Sequence, residues 1–489
     1  MGSVIPSSIP SWINGIPCDA ESGETFAKLR PTDGTVFCDV ARGGAADVEK
    51  AVLAASSAQS SWAGMSPVGR GEILYALCDQ LRLHRQEMAA VVAAETGKSM
   101  KEALGETNGA ISLGRFYAGE GQRLFGRTLV SGVANRYPST IRMPVGIAGL
   151  IAAANTPVAN VAWKVFPALI CGNTAVLKPA EDTPATAWYF GKLAKEAGLP
   201  DGVLNIVQGY GREAGPPLVE HPAVGVISFT GSTTVGVEIA VKAGQRLAKV
   251  SLELGGKNPL VVCDDADLDA ATHWTLLSAF SNAGQRCAAA SRIIVFAEVY
   301  EQFRDELVRR INSLRVGPAD EDDLGPVINH RQLERMLGVV ESAIAIGAKV
   351  LAGGKRLLDS GRASGFYMAP TLLEDVDPDD VISTTEIFGP VACLYRVNGY
   401  QEALALSNRS PFGLTACIHT KSLDRAIAFT REVKTGVAVV NAGTYGSEPH
   451  MPFGGVGQSG NGTREPGTEA IDVYTNVRNV ILNANPSRL

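Results

Sequence analysis

Apolar positions recur along this chain with two different periods. Val48, Val52 and Ala55 fall on one helical face just after Asp47, which predicts a helix opening there. Ile73, Leu74, Leu77 and Leu81 predict a second helix, and Met88, Val91 and Val92 a third. Before them, residues 34–40 form a β-prone run bounded by a Gly turn. From residue 144 the pattern changes. Residues 144–151 are a continuous apolar segment of the buried-strand type. Strand-like 174–178, a helix over 184–197, strand-like 203–207 and 225–229, and a helix around 235–243 follow. This alternation predicts an α/β fold with a mostly parallel, doubly wound sheet. A second α/β unit is expected from about 257 to 450, with helices near 299–314 and 330–347 and strands near 391–396 and 436–441. Residues 470–482 read as a final strand through Val473, Thr475, Val477 and Val480, free to add to another subunit's sheet.

Composition narrows the classes. A chain of 489 residues exceeds one ordinary core, so two or more domains are expected. A formal charge of -6 argues against a nucleic-acid surface. Glycine, at 53 residues, exceeds the usual ~7% and suits an enzyme whose backbone approaches ligands closely. The eight cysteines form no CxxC pair, so neither a metal site nor a disulfide scaffold is expected, and a reducing cytoplasm fits. The start, Met1 to Pro6, carries no basic segment followed by an apolar run. The run 145–154 falls short of the ~20 residues that span a bilayer, so no membrane partner is expected.

Candidate chemistry centres on residues 280–292. A free cysteine is commonly an inert buried residue. Cys287 differs in its setting, with Gly284 and the small Ala288 to Ala290 nearby and the cationic Arg286 beside it. Glu253 stands on a β-like run before Gly255-Gly256, either as a buried carboxylate able to act as a base or as a strand-edge residue facing water. Asn155 follows a buried-type strand, where its amide can donate to an oxyanion or serve a turn before Thr156-Pro157. The turn from Phe229 to Gly236 opens a helix that can receive a phosphate, and Glu181 with Lys178 can meet an adenosine ribose or form a solvated pair. Two other classes are compatible with these residues: a thiol hydrolase pairing Cys287 with one of six histidines, and an inactive cofactor-binding scaffold.

Together these stretches resemble the aldehyde dehydrogenase superfamily over nearly the whole chain. The resemblance is carried by Glu95-Thr96-Gly97-Lys98, Asn155 with Pro157, Trp163-Lys164, Gly172-Asn173-Thr174, Lys178-Pro179-Ala180-Glu181 and Phe229-Thr230-Gly231-Ser232. It continues through Glu253-Leu254-Gly255-Gly256-Lys257, Gly284-Gln285-Arg286-Cys287, Glu386-Ile387-Phe388-Gly389-Pro390 and Pro452-Phe453-Gly454-Gly455. It implies a Rossmann-like cofactor domain (1–122 and 144–255), an α/β catalytic domain (256–455) and a small β oligomerisation domain (123–143 and 456–489). By position Cys287 would be the nucleophile, Asn155 with the Cys287 N–H the oxyanion site, Glu253 the hydrolytic base, and Lys164 its support. Lys178, Glu181 and Gly211 would meet the adenosine side of NAD, Gly231 and Ser232 the pyrophosphate, and Glu386 and Phe388 the nicotinamide side. Glu181 would repel a 2′-phosphate, favouring NAD, with NADP possible. A hydrolytic base argues against the CoA-acylating branch. Where many relatives have Trp-Asn-Phe-Pro this chain has Ala154-Asn155-Thr156-Pro157, so two aromatic contributors are missing. The pocket would include Asn160, Trp163, Ser281 and His450, a polar lining that suggests a semialdehyde or a hydroxylated or aromatic aldehyde. A homodimer or homotetramer is implied.

Overall fold

Alternating strand and helix build two seven-stranded sheets in the computed structural model, which describes residues 4–359 and 361–488. The reading of the N-terminus at Met1 to Ser3 lies outside the described residues. The first sheet runs in the order Lys249–Glu253, Val224–Thr230, Ile147–Ile151, Thr174–Lys178, Leu204–Ile206, Ser11–Ile13, Ile16–Cys18. Its first five strands are parallel, and the two N-terminal strands add antiparallel at one edge. Chain order reverses at Ile147–Ile151, because later strands add first on one side of it and then on the other. Such a switch point leaves a crevice at the carboxyl ends of the strands. The register there is level: Thr230 pairs with Glu253, Phe229 with Ile151, and Ile151 with Lys178.

The second sheet follows after four residues of loop. Its order is Lys349–Ala352, Thr371–Glu374, Val391–Val397, Ala290–Phe296, Asn258–Val262, Thr415–His419, Val437–Val440, parallel except for the first pair. The fold is α/β, and the helices Ala45–Gly64, Pro67–Leu83, Arg85–Thr96, Pro184–Glu196, Thr233–Gly244, Tyr300–Ser313 and His330–Ala345 stand where apolar periodicity predicts them. Asp47 anchors the first of these by accepting the Gly44 N–H at 2.9 Å, satisfying a donor at the helix start.

Elsewhere the structure departs from the pattern. Helix Met100–Glu120 carries Gly105, Gly109, Gly114 and Gly119, which depress helix propensity. Tertiary packing overrides that weakness: a Cβ on Gly114 would lie 2.5 Å from the Phe166 ring and 2.6 Å from Cys78 Sγ, so only glycine lets these helices approach. Helix Pro157–Ile170 is buried on nearly every side and so shows no polar face to mark it as a helix. Residues 470–474 turn helical, as Ala470–Tyr474, before the terminal strand Thr475–Asn483 begins. That strand pairs antiparallel with Arg136–Pro144, forming a two-stranded ribbon outside both sheets. Val456–Gly457 pairs with Phe412–Gly413, and residues 459–463 then return to the first sheet: Leu254 N donates to Ser459 O at 3.1 Å, and Gly460 bridges Glu253.

Candidate active site

The carboxyl ends of the first sheet meet loops that enter the amino ends of the second. Glu253 ends its strand, Asn155 follows Ile151, and Cys287 precedes Ala290–Phe296. The Cys287 turn is tightly specified. Asn282, Ala283 and Gly284 are consecutively left-handed, with φ of 54°, 52° and 66°. The first two cost about 1 kcal/mol or more each. Surrounding bonds impose that conformation: Glu102 accepts the Asn282 N–H at 2.9 Å, and Asn282 Nδ2 donates to Asn155 O at 3.1 Å and Gln285 O at 3.2 Å. A Cβ at Gly284 would lie 2.1 Å from Gly389 O, and one at Gly256 would lie 2.4 Å from Cys287 O. Asn258 Nδ2 donates to Cys287 O and Ala289 O at 2.8 and 2.9 Å, pinning the turn from below.

Cys287 lines two cavities, which also share Asn155, Thr156, Trp163 and Phe453 in their walls. One, about 560 Å³, is bounded by helix Met100–Glu120, Trp163, Arg286, Tyr445 and Phe453. The other, about 520 Å³, is bounded by Thr230 to Thr234, Glu253, Arg335, Glu386 and Phe388. No histidine is among the residues lining either, which removes the partner a thiol–histidine hydrolase needs. Burial pushes the Cys287 thiol up to about 12, and the carboxylates of Glu386 and Glu253 add to this; the Ala288 N–H and Arg286 oppose it.

Glu253 is buried, and neither carboxylate oxygen has a hydrogen-bond partner. Native structures rarely leave such a group unsatisfied. Burial drives its pKa well above the carboxylate range, Glu465 raises it further, and Lys164 and Arg464 pull it down. Lys164 Nζ donates to Ser228 Oγ at 2.7 Å and to Glu465 at 3.1 Å. Glu465 also accepts from Ser228 at 3.0 Å and from the Tyr474 hydroxyl at 2.8 Å. No sequence motif marks Glu465; folding brings it to Lys164 from 301 residues away.

The Asn155 amide is oriented by its neighbours. Its oxygen accepts from Asn160 Nδ2 at 3.1 Å, and one Nδ2 hydrogen goes to Gln285 O at 3.0 Å, leaving the second for a ligand. Its backbone carbonyl is held by Lys98 Nζ at 2.9 Å.

Of the residues expected from the sequence, Gly231, Ser232, Glu386, Phe388, Asn160 and Trp163 line the 520 Å³ cavity with Asn155, Glu253 and Cys287. Trp163 faces the other cavity too, whereas Asn160 does not. Lys178, Glu181 and Gly211 form a separate group: Lys178 Nζ lies 3.8 Å from Glu181, which accepts the Gly211 N–H at 3.3 Å. Burial lowers Lys178 to about 8. Ser281 and His450 line neither cavity. The Ser281 hydroxyl closes a helix end by donating to Leu277 O at 2.6 Å, and His450 is exposed beside Glu448.

The residues on this side fit a dinucleotide. Helix Thr233–Gly244 opens into the 520 Å³ cavity, and the side chain of its N-cap, Ser232, makes no capping hydrogen bond, which leaves the helix's positive end open to a phosphate. At Gly231 a Cβ would lie 2.3 Å from the Phe229 ring, so the turn accepts only glycine without displacing that ring. Glu386 accepts the Gly256 N–H at 3.0 Å, and burial raises its carboxyl to about 7.

Residues 18–480 match the Aldehyde dehydrogenase family. The chain is 38% identical to the alpha-ketoglutaric semialdehyde dehydrogenase of Bacillus subtilis over 96% of this chain and 97% of that protein. It is 40% identical to the mitochondrial aldehyde dehydrogenase of Leishmania tarentolae, covering 95% and 92%. Its structure superposes on betaine aldehyde dehydrogenase of Staphylococcus aureus in complex with NAD+ with a TM-score of 0.96 at 30% identity, covering 99% and 96%.

Proposed function

Because the chain belongs to the aldehyde dehydrogenase family, we propose that it oxidises an aldehyde to the carboxylic acid with NAD, through a thiohemiacetal and a thioester on Cys287. One observation carries this reading: a buried carboxylate with no hydrogen-bond partner among the described residues and an oriented amide donor line one cavity together with the Cys287 thiol. Bound NAD supplies the hydride acceptor. Gly231 and Ser232 would hold its pyrophosphate, Glu386 and Phe388 its nicotinamide end, and Lys178, Glu181 and Gly211 its adenosine ribose. A carboxylate at Glu181 disfavours a 2′-phosphate, so NAD is preferred to NADP.

The thiolate form of Cys287 attacks the aldehyde carbon, and the developing oxyanion accepts from Asn155 Nδ2 and the Cys287 N–H. Asn160 and Gln285 already hold the Asn155 amide, so no reorganisation is needed as charge appears. Once the carbon is oxidised, the acyl group remains on sulfur as a thioester. Glu253 then takes a proton from the water that attacks it, a role suited by its raised proton affinity; the C–S bond breaks, the acid is released and Cys287 Sγ is returned as the thiolate. Lys164 and Glu465 set the charge beside that base. Dividing the oxidation into two covalent stages lowers each barrier, and a dedicated hydrolytic base argues against acyl transfer to CoA.

The substrate is a small polar aldehyde, a semialdehyde or a hydroxylated or aromatic one, supported by Lys98, Glu102, Ser112, Arg286 and Tyr445 around the 560 Å³ cavity. We read residues 1–122 and 144–255 as the cofactor domain, 256–455 as the catalytic domain, and 123–143 with 456–489 as an oligomerisation domain. Exposed Tyr137, Ile141, Val477, Ile481 and Leu482 on the terminal ribbon support a homodimer or homotetramer. No helix among the described residues is long and apolar enough to cross a membrane, and a cytoplasmic location fits the free thiols.

Cys287→Ala is expected to abolish NAD-dependent aldehyde oxidation while NAD titration still shows binding; retained turnover would sink the assignment. In Glu253→Gln a first burst of NADH near one equivalent per site should survive, with steady-state turnover lowered by about 10²–10⁴-fold. An unchanged steady-state rate would mean that another base serves.

A further inference from the structure

The 560 Å³ cavity contains a cation whose hydrogen-bonding capacity the fold leaves unused. Arg286 immediately precedes Cys287 and lines this cavity. Its Nε is buried without a hydrogen-bond partner among the described residues. Its neighbouring carboxylate, Glu102, stands 3.8 Å from Nη2, beyond hydrogen-bond reach, and is already engaged by the Asn282 N–H. The guanidinium instead lies over the Tyr445 ring, 4.9 Å from its centroid, which fixes the plane of the fork. Buried arginines elsewhere spend at least part of their fork on the backbone, Arg70 donating to Ile170 O and Met65 O and Arg292 to Leu406 O, although Arg292 Nε also lacks a partner among the described residues.

The remaining charges deeper in this cavity neutralise one another. Lys98 and Glu106 form a buried pair at 2.6 Å, and Glu106 also accepts the Val158 and Ala159 N–H groups at the start of helix Pro157–Ile170. Glu448 is exposed at the rim, 3.9 Å from His450. The cavity wall leaves room for a chain: a Cβ at Gly105 or Gly109 would meet nothing within 4 Å.

We propose that Arg286 binds a carboxylate on the substrate, so that the enzyme prefers aldehydes carrying a second, anionic end. This rests on the reading of Cys287 as nucleophile and narrows the substrate from polar aldehydes to carboxylated ones. A planar guanidinium with spare donors matches a carboxylate in charge and geometry, and such charge-assisted bonds in a partly buried site discriminate by factors on the order of 10–100. If Arg286 served only to favour the thiolate, its loss would slow charged and neutral aldehydes alike.

The test compares kcat/KM, with NAD saturating, for succinic and glutaric semialdehyde against butanal and pentanal. The carboxylated member of each pair should be favoured on the order of 10–100-fold. Arg286→Leu should reduce that ratio by a similar factor, mainly through KM, and Arg286→Lys should restore part of it. Equal efficiency with charged and neutral partners in the unaltered enzyme overturns the proposal, as does an unchanged ratio in Arg286→Leu. Absence of NAD-dependent turnover with all four compounds would overturn the dehydrogenase reading as well. Should Arg286→Leu fail to fold, inhibition of the unaltered enzyme decides: glutarate is expected to compete with pentanal more strongly than pentanamide does, and equal inhibition overturns the carboxylate site.

Discussion

Substituting either member of the Lys164–Glu465 pair should change both the stability of the protein and the pH at which it works. Each side chain is only 1% exposed, and their separation is 3.1 Å. Removing one partner of such a pair strands the other charge away from water, which typically costs about 3–5 kcal/mol. Lys164→Met should fall near the lower end, because Glu465 keeps donors from Ser228 at 3.0 Å and Tyr474 at 2.8 Å. Glu465→Gln should fall higher, because the amide oxygen can still accept from the Lys164 ammonium but no longer neutralises its buried charge. In the double variant no charge is stranded, so about 1–3 kcal/mol of the summed loss should return. Urea unfolding of the three variants measures this. The pH effect has opposite signs in the two single variants. Burial is the main reason Glu253 holds its proton; Glu465 strengthens that hold and Lys164 weakens it. Glu253 must be ionised to accept a proton from water, so the acid limb of steady-state turnover should move to lower pH in Glu465→Gln and to higher pH in Lys164→Met. Stability losses that add within about 0.5 kcal/mol, together with acid limbs moving in the same direction, would refute the reasoning.

Three further outcomes follow from the site. Asn155→Ala should lower kcat by about 10²–10³-fold while NAD affinity is kept, since one oxyanion donor is lost; stopped-flow measurement of the first turnover checks it. Alkylation of Cys287 by iodoacetamide in the NAD-free protein, followed by peptide mass spectrometry, should still be accelerating between about pH 7 and 10, because burial pushes the thiol up to about 12 and the thiolate fraction rises throughout that window. A plateau below about pH 8 would contradict that environment. Glu181→Ser should raise kcat/KM for NADP relative to NAD by about tenfold or more if, as proposed, the Glu181 carboxylate would meet the 2′-phosphate; no change in the ratio would mean that the adenosine ribose lies elsewhere.

What the sequence determined by itself is local. Alternating strands and amphipathic helices were legible because their periods differ and need only neighbouring residues to express them. Cys287, Glu253 and Asn155 could be singled out as candidates because each stands in a short run of small or turn-forming residues, and the fold brings all three to one cavity. Helix Met100–Glu120 was not, since its glycines argue against a helix until Phe166 and Cys78 are packed against Gly114. Helix Pro157–Ile170 was not, because an element buried on almost every side has no polar face to reveal its period. The placement of the site was decided only by tertiary structure. The burial of Glu253 without a partner among the described residues, its coupling to Lys164 and Glu465, the unpartnered Arg286 Nε and the two cavities that Cys287 lines all depend on residues far apart in the chain. Ser281 and His450 show the same limit from the other side: position in a motif placed them near the pocket, whereas packing turned one into a helix stop and left the other in solvent. Burial and hydrogen-bond satisfaction are sums over neighbours in space, and a residue's own segment supplies only part of each sum.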